Sequence, residues 1–367
     1  MIEKPSRRRV LKQSMLGALL AAGASPSAQG APPPPALTRQ NLQALLTGYQ
    51  TSQMLHVVAK LKIADLLQDG PRTTTDLAAS AGAHEDALYR VLRTLASIGI
   101  FSELDGRRFQ LNPAAEHLRS NHEGSVRVFA EILGEEWMWK PWGALLESVR
   151  TGETAFDRVY GMGTFDWFQK HPDAARLFDA GQSESTRASV VAITAAFDFS
   201  KVRRMVDVGG GDGTLLASVL RVSPATSGVL FDLPAVVDAA KPRFDPSVAA
   251  RAAFVGGDFF KAVPAGADLY LMKSILHDWN DRDCQRILDT LRQAMSATAR
   301  LIVAEDHVCA PNQPCLAKQR DVNMLVRTGG RNRTEQEYRD VLARGGLRTT
   351  RVIPTTSTLF LMEATPA

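Results

Sequence analysis

The sequence predicts an α/β protein in which a mostly parallel sheet carries a ligand-binding crevice and a smaller helical module comes first. A buried apolar run breaks into four glycines within five residues, from Gly209 to Gly213. Further apolar runs follow it, several of them ending in acidic residues, whereas the N-terminal half has helical periodicity. Because ligands of such sheets bind at the carboxyl ends of the strands, we expect the site there.

The glycine-rich turn follows the first predicted strand, which contains Asp207. Glycine permits positive φ angles, and its missing Cβ lets the backbone approach a ligand closely. A dinucleotide fingerprint has the spacing G-x-G-x-x-G, whereas Gly209, Gly211 and Gly213 give G-x-G-x-G. This spacing favours a nucleoside without a pyrophosphate, although a structural turn and an NAD site are alternatives at this stage.

Acidic residues follow the next two predicted strands. Asp232, followed by Leu233, ends the run Ser227–Phe231, where a carboxylate can accept hydrogen bonds from both ribose hydroxyls. The third strand leads to Asp258 and Phe259, which offer an acceptor for an adenine amine and an aromatic surface for its ring. A plain NAD site has less need of this second acid.

Two more apolar runs supply candidate catalytic groups. The fourth run opens into Lys273, His277 and Asp278, and the strand Arg300–Ala304 ends at Glu305. His277 is the only histidine at the predicted strand-end crevice. A histidine whose pKa is near 7 suits a general base.

In this order, the motifs resemble those of the S-adenosylmethionine-dependent small-molecule O-methyltransferases of the plant caffeate and acetylserotonin type and their bacterial tailoring relatives. The resemblance runs from about Ala36 to Glu363. It implies an α/β Rossmann-like methyltransferase domain with a seven-stranded mixed sheet, preceded by an α-helical winged-helix dimerisation domain. It also implies a homodimer and a small-molecule hydroxyl acceptor.

The resemblance also implies roles for individual residues, with S-adenosyl-L-methionine as the cofactor. His277 matches the catalytic base, and Glu305 and Asn332 occupy the two positions that orient it. The implied cofactor-binding residues are Asp207, Gly209, Gly211, Asp232, Leu233, Asp258, Phe259 and Lys273. The implied acceptor-lining residues are Leu133, Phe178, Gln182 and Met324.

The chemistry agrees with this assignment. Methyl transfer to oxygen is an in-line displacement that needs alignment of two substrates and removal of the acceptor proton. A carboxylate on one nitrogen of His277 leaves the other free to accept that proton. The competing structural interpretation is that His277 caps a helix from Asp281 to Ala297 and that Glu305 is a surface acid.

Asn332 departs from the pattern, because the family carries a glutamate at that position. An amide can accept a hydrogen bond from an imidazole but cannot offset its charge, and the lost charge-assisted bond is worth about 1–3 kcal/mol. We therefore expect a slower or more alkaline-shifted transferase, or an acceptor more acidic than a simple phenol, such as an enol.

The N-terminal module shows a winged-helix pattern, with helical periodicity over residues 55–67, further helices near Thr73 and Ala87, and a hairpin at Asp105-Gly106. A winged helix raises the possibility of DNA binding. However, the net formal charge of +4 comes entirely from residues 3–12, and the expected recognition helix also carries acids. The lack of a basic face argues against nucleic-acid binding and favours dimerisation.

The first residues contain Ser6-Arg7-Arg8-Arg9-Val10-Leu11-Lys12, which matches the twin-arginine export signature and precedes a short apolar run. The run is too short to span a bilayer, so no stable membrane insertion is expected. The match favours a periplasmic or secreted protein over an extension from a misassigned start codon. Since S-adenosylmethionine is made in the cytoplasm, cytoplasmic retention is the alternative.

The predicted organisation has four segments: a signal peptide at 1–30, the winged-helix domain at 31–120, a helical connector lining the substrate pocket at 121–200, and the cofactor-binding domain at 201–367. Cys309 and Cys315 are equally compatible with a disulfide and with free thiols. Scattered histidines predict no metal site.

Three function classes remain open at the sequence level. They are an O-methyltransferase, a relative that keeps the cofactor but performs hydroxylation or decarboxylation, and an exported non-catalytic binding or regulatory protein. The presence of both His277 and Glu305 favours the first over the second.

Overall fold

A computed structural model describes residues 36–367, apart from the side chain of Ala188. The described chain forms two compact units, Leu42–Ala188 and Ser189–Ala367, and residues 36–41 group with the second. The twin-arginine segment that the sequence predicts at 1–30 lies outside the described residues.

The first unit is helical, with one small sheet. Its helices are α1 Arg39–Leu46, α2 Gly48–Lys60, α3 Ile63–Leu66, α4 Thr74–Ala81, α5 Glu85–Ser97, α6 Pro113–Glu116, α7 Arg127–Gly134, α8 Glu136–Trp139, α9 Leu145–Thr151, α10 Ala155–Tyr160, α11 Thr164–Lys170 and α12 Pro172–Ala196, which continues into the second unit. Its strands are β1 Arg72–Thr73, β2 Ser102–Leu104 and β3 Arg108–Gln110, in the order β1-β3-β2 and all antiparallel.

Local sequence signals account for most of these elements. The side chain of Thr73 caps α4 by accepting a hydrogen bond from the Asp76 amide. The predicted hairpin at Asp105-Gly106 forms, between β2 and β3. The helix expected over residues 55–67 is instead two helices, because Lys62 adopts the left-handed conformation with φ of 52°.

The second unit is a sheet with helices on both faces. Its strands are β4 Arg204–Val208, β5 Ser227–Asp232, β6 Ala252–Gly256, β7 Leu269–Lys273, β8 Arg300–Asp306, β9 Leu347–Pro354 and β10 Leu359–Pro366. Its helices are α13 Thr214–Val222, α14 Pro234–Ala240, α15 Asp281–Ala294, α16 Leu316–Arg327 and α17 Glu335–Arg344, and a short 3-10 turn spans Leu276–Asp278. No helix between residues 36 and 367 has both the length and the apolar character needed to cross a bilayer.

The sheet has the order β6-β5-β4-β7-β8-β10-β9. The first five of these strands are parallel, and β10 runs antiparallel to both β8 and β9. The predicted seven-stranded mixed sheet, closed by a C-terminal hairpin, is therefore confirmed. Strand β4 lies between β5 and β7, so the chain reverses direction across the sheet there and opens a crevice at the carboxyl ends.

Apolar side chains cover both faces of this sheet. Along β4, Val206 and Val208 join one core cluster with Leu288 of α15, whereas Met205 joins the opposite cluster with Leu216 of α13. The alternation follows from the two-residue period of a strand. Burial on both faces explains why the parallel strands read as continuous apolar runs.

Cys309 and Cys315 form a disulfide in the segment between β8 and α16. The same segment is held by Lys318, whose Nζ donates to the carbonyls of Ala310 and Gln313 at 2.7 and 2.8 Å. Strand β8 contains Glu305 near its end, and α16 packs against the turn Leu276–Asp278. The disulfide therefore lies between two elements, β8 and α16, that border the candidate site.

We expect the Cys315→Ser variant to have a free energy of unfolding about 2 kcal/mol lower than the wild type. The disulfide closes a short loop, and this closure reduces the conformational entropy of the unfolded chain. Urea denaturation of wild type and variant, each with and without a thiol reductant, measures the effect. Reductant should destabilise the wild type to the level of the variant and leave the variant unchanged. Equal midpoints for all four samples would contradict a stabilising disulfide.

Candidate active site

The glycine-rich turn begins directly after β4. Gly209 and Gly210 donate their amides to the Phe231 carbonyl of β5, at 2.8 and 3.3 Å. Gly209 has φ of 69°, and a Cβ there would lie 2.4 Å from Cδ1 of Ile275. Because both the backbone angle and the available space require glycine, this turn presents bare backbone to the crevice.

Asp232 is fixed against that turn. Its Oδ2 accepts the Gly211 amide at 2.9 Å, and its Oδ1 accepts the Leu233 amide at 2.7 Å. Burial raises the pKa of Asp232, and the two amides oppose that increase. The structure thus brings Gly209, Gly211, Asp232 and Leu233 together, with a carboxylate where a ribose can bind.

Two buried charges lie at the ends of β4 and β7. Burial, together with the charge of Asp232, raises the pKa of Asp207 to about 7, and Lys273 opposes this effect. The Asp207 Oδ2 is buried and has no hydrogen-bond partner within residues 36–367. Burial also lowers the pKa of Lys273, whose Nζ lies 3.5 Å from the Ser274 hydroxyl. Asp207 and Lys273 are therefore polar groups available to a bound ligand.

Asp258 and Phe259 follow β6. Asp258 accepts the Phe260 amide at 2.9 Å and pairs with Lys261 at 3.2 Å. The Phe259 ring lies at right angles to Trp279, with centroids 6.0 Å apart, and borders the space above Gly209. An aromatic wall therefore meets the glycine turn, which fits a purine ring.

His277 and Glu305 are in direct contact. The His277 Nδ1 lies 2.6 Å from Oε2 of Glu305, whose side chain is fully buried. Because the carboxylate accepts from Nδ1–H, the lone pair of the neutral imidazole is on Nε2. The His277 side chain keeps 19% of its surface exposed.

Glu305 also fixes the backbone around the histidine. Its Oε1 accepts the amides of Ile275 and His277 at 3.0 and 3.3 Å. Ser274, just before them, has φ of 56°, a conformation that costs a non-glycine residue about 1–3 kcal/mol. The Ser274 amide donates to the Ala304 carbonyl at 3.0 Å, which helps to hold this strained turn.

Several charged groups act on His277. Burial lowers its pKa, but the carboxylates of Glu305 and Asp278 outweigh burial and leave the pKa above its usual value. The Asp278 Oδ1 lies 3.6 Å from Nε2. Arg320, which forms an ion pair with Asp306, opposes the increase.

The interpretation of His277 as a helix cap is wrong. Helix α15 begins at Asp281, and its cap is Asn280, whose side chain accepts the Asp283 amide at 2.9 Å. A second histidine, His307, directly follows β8, which ends at Asp306. His307, however, stacks on Phe360 with ring centroids 3.7 Å apart.

Asn332 is buried close to the same loop, but its side chain makes no hydrogen bond to His277 within residues 36–367. Its backbone amide donates to Asp321 at 2.9 Å, and its Oδ1 has no partner among the described residues. The structure therefore joins His277 to Glu305 and leaves the third predicted member of the group outside that hydrogen-bonded pair.

The segment around Asn332 supports the histidine loop in a way that the sequence did not predict. Arg333 is 1% exposed, and its guanidinium donates to the carbonyls of Leu276 and Trp279 at 3.0 Å each. Gly330 packs so closely that a Cβ would lie 2.1 Å from the His277 carbonyl oxygen. In the sequence, the only signals for these contacts were the adjacent glycines Gly329 and Gly330 and the arginine Arg333.

The predicted acceptor-lining residues are divided between the two units. Leu133 and Phe178 border an aromatic cluster of the first unit, where the Phe178 ring lies 4.9 Å from that of Phe168. Gln182 is exposed on α12. Met324 is buried on α16, in the unit that contains His277.

Two known domain families match this chain. The O-methyltransferase domain family matches residues 142–348, and the O-methyltransferase dimerisation domain matches residues 43–121. A phenazine O-methyltransferase from Lysobacter antibioticus is 41% identical over 323 residues, which cover 88% of this chain and 94% of that protein.

Solved structures show the same similarity. The structure of a mitomycin 7-O-methyltransferase matches with a TM-score of 0.84 and 35% identity, covering 89% of this chain and 97% of that one. An O-methyltransferase from neocarzinostatin biosynthesis, in complex with S-adenosylmethionine and 2-hydroxy-5-methyl naphthoic acid, matches with a TM-score of 0.76 and 31% identity, covering 86% and 96%.

Proposed function

The chain belongs to the O-methyltransferase family and uses S-adenosylmethionine, and from that premise we propose that it methylates a hydroxyl group of an aromatic or conjugated small molecule, with His277 as the general base. The hydrogen bond between His277 and Glu305 carries the proposal. It orients the imidazole and leaves Nε2 as the proton acceptor.

The residues at the strand ends fit the cofactor. The turn at Gly209 has no room for a Cβ, which would lie 2.4 Å from Cδ1 of Ile275, and the fixed carboxylate of Asp232 suits the ribose hydroxyls. Asp258 and Phe259 suit the adenine, and Asp207 and Lys273 are buried polar side chains for the amino-acid portion. When bound, S-adenosylmethionine supplies a methyl group on a positively charged sulfur.

The contribution of the protein is positioning and proton transfer. His277 Nε2 takes the proton of the acceptor hydroxyl as the oxygen gains its bond to the methyl carbon. Glu305 stabilises the imidazolium through Nδ1. Holding the two reactants in line supplies much of the rate.

Transfer of labelled methyl from S-adenosylmethionine to a mixed pool of phenols, enols and aromatic acids tests the proposal. We expect label in at least one hydroxylated product from the wild type. The Gly209→Val variant, whose side chain clashes with Ile275 and strains the turn at φ of 69°, should lose both cofactor binding and transfer. Tight cofactor binding by the wild type without transfer to any acceptor would contradict the proposal.

The Asn332→Glu variant should shift the acid limb of the pH–rate profile. A carboxylate near the imidazolium raises the pKa of His277, so the limb should move to higher pH by about one unit. The wild-type limb then lies at lower pH than that of the variant, a direction opposite to the alkaline shift suggested by the sequence.

Profiles of kcat/KM against pH for the wild type, Asn332→Glu and Asn332→Gln measure this effect. Asn332→Gln is the matched control, because it lengthens the side chain without adding charge. Identical acid limbs for Asn332→Glu and Asn332→Gln would show that position 332 does not act on the base.

We propose that the chain forms a homodimer through its first unit. The match to a dimerisation domain supports this, and so do Leu42, Leu45, Leu46 and Tyr49, which leave between 47% and 70% of their surface exposed near the start of that unit. Light scattering coupled to size exclusion should give twice the chain mass, whereas a monomer at micromolar concentration would contradict the proposal.

We also propose export by the twin-arginine route. The motif at residues 6–12 supports it, and the Cys309–Cys315 disulfide is typical of an oxidising compartment. Cell fractionation should find the wild type outside the cytoplasm, and replacement of Arg7 and Arg8 by Lys should retain it inside. Cytoplasmic wild-type protein would contradict export.

A further inference from the structure

The side chain of Arg333 spans the loop that carries the base. This arginine is 1% exposed, and its Nη1 donates to the Leu276 carbonyl and its Nη2 to the Trp279 carbonyl, at 3.0 Å each. These two carbonyls belong to the residues directly before His277 and directly after Asp278. One rigid, planar guanidinium therefore holds both ends of the histidine loop.

The backbone of Arg333 is bonded to the strand that carries Glu305. The chain continues from β8 into His307, which forms an isolated parallel bridge with Arg333. The next amide, that of Val308, donates to the Arg333 carbonyl at 2.9 Å. A single residue thus joins the loop that contains His277 to the strand that contains its carboxylate partner.

Asp281 holds the guanidinium in place. Its Oδ1 accepts from Nε of Arg333 at 3.0 Å and from Nη2 at 2.6 Å, and its Oδ2 accepts from Arg344 at 3.1 Å. A buried cation is costly unless a carboxylate compensates it. The contact at two nitrogens also fixes the plane of the guanidinium, so that Nη1 and Nη2 stay directed at the two carbonyls.

The thiol of Cys284 reaches the same two acceptors from α15. Its Sγ lies 3.2 Å from the Leu276 carbonyl oxygen and 3.6 Å from that of Trp279. A thiol is a weak donor, whereas bonds from a charged guanidinium are about twice as strong as neutral ones. Arg333 is therefore the stronger donor at both ends of the loop, and both carbonyls keep a partner when the arginine is replaced.

Building on the function proposed above, we propose that Arg333 is a positioning residue for methyl transfer, which holds the histidine loop against β8 so that His277 stays paired with Glu305. The Glu305 Oε1 accepts the amides of Ile275 and His277, so it fixes the beginning of the loop. Arg333 also fixes the end of the loop at Trp279. Together they keep the bond between His277 Nδ1 and Glu305 Oε2 at 2.6 Å.

We expect Arg333→Met to lower kcat, at saturating cofactor and acceptor, by about 10- to 100-fold. The reason is that a displacement of about 1 Å at the base costs about 100-fold in rate. Arg333→Lys keeps the charge but lacks the fork that reaches both carbonyls, so it should recover only part of the loss. Methyl transfer in a single turnover measures the effect.

Arg251→Met is the matched control. Arg251 also donates to backbone carbonyls, at 2.6 Å to Leu220, 2.8 Å to Thr226 and 3.0 Å to Ser223. These carbonyls precede β5, at the end of that strand opposite to the candidate site. Thermal melting should show a loss of stability in both variants, but Arg251→Met should keep the wild-type kcat. The comparison separates a loss of stability from a loss of positioning.

Proton NMR of the cofactor-bound enzyme tests the inference without turnover. The proton on His277 Nδ1, held in the short bond to Glu305, should give a far-downfield signal that is absent from His277→Gln. Arg333→Met should move this signal upfield or abolish it by exchange with solvent, and Arg251→Met should leave it unchanged. Because no acceptor is needed, the result stands even if the proposed function fails.

If Arg333→Met fails to fold, Arg333→Lys and Asp281→Ala decide the question. Asp281→Ala removes the carboxylate that orients the guanidinium, so it should lower kcat and weaken the signal. Wild-type kcat with an unchanged signal in the folded Arg333 variants would overturn the proposal. An equal loss of kcat in Arg251→Met, or a wild type without the downfield signal, would also overturn it.

Discussion

Replacing His277 by Gln is expected to lower kcat/KM by about 10²- to 10⁴-fold, the usual contribution of a general base, while cofactor affinity stays unchanged. Glutamine has similar size, and its amide can still donate to Glu305. It has no basic nitrogen to take the acceptor proton. The loss should therefore appear in chemistry and not in folding or cofactor binding.

Single-turnover transfer of labelled methyl, together with a cofactor-binding titration, measures both quantities. His84→Gln is the matched control, because His84 caps α5 far along the chain from the catalytic loop and should leave the rate unchanged. The acid limb of the wild-type profile should lie above pH 6.5, since the pKa of His277 is raised, and should disappear in His277→Gln. Retention of activity within tenfold would rule out His277 as the base.

Gly330→Ala is expected to damage both the stability of the protein and the rate of methyl transfer. The added Cβ would lie 2.1 Å from the His277 carbonyl oxygen and 2.3 Å from the Asp278 carbonyl carbon. These are backbone atoms, so the loop must shift as a whole. Overpacking of this kind costs about 1–3 kcal/mol of stability, and a shift of about 1 Å at the base costs about 100-fold in rate.

Gly143→Ala provides the comparison, because a Cβ at Gly143 meets no atom within 4 Å and its φ is not positive. Thermal melting and methyl transfer should both distinguish the two alanine variants. If Gly330→Ala retained wild-type activity and stability, the close packing of this glycine against the histidine loop would have no functional consequence.

The sequence determined the architecture because its signals are local. Apolar runs identified the parallel strands, and the acids that follow them identified the crevice, since parallel strands place their carboxyl ends on one edge. The G-x-G-x-G spacing indicated where bare backbone is required, and three positive φ angles at Gly209, Gly211 and Gly213 agree with it. Each of these predictions depended on neighbours within a few residues.

The sequence could not determine contacts between distant segments. Arg333 binds carbonyls more than fifty positions earlier, and Gly330 packs against the same loop. Helix α16 packs on the turn Leu276–Asp278 although some forty residues separate them in the chain. No spacing rule relates these residues, so the support of the base became visible only in the fold.

The sequence by itself therefore determined which side chains end each strand, and with them the family, the cofactor and the candidate base. Tertiary structure decided what surrounds that base. Burial changes the free energy of a charge by an amount that depends on every group packed around it. The pairing of His277 with Glu305, the approach of Asp278 to Nε2 and the interior position of Arg333 arise from that packing and from no local pattern.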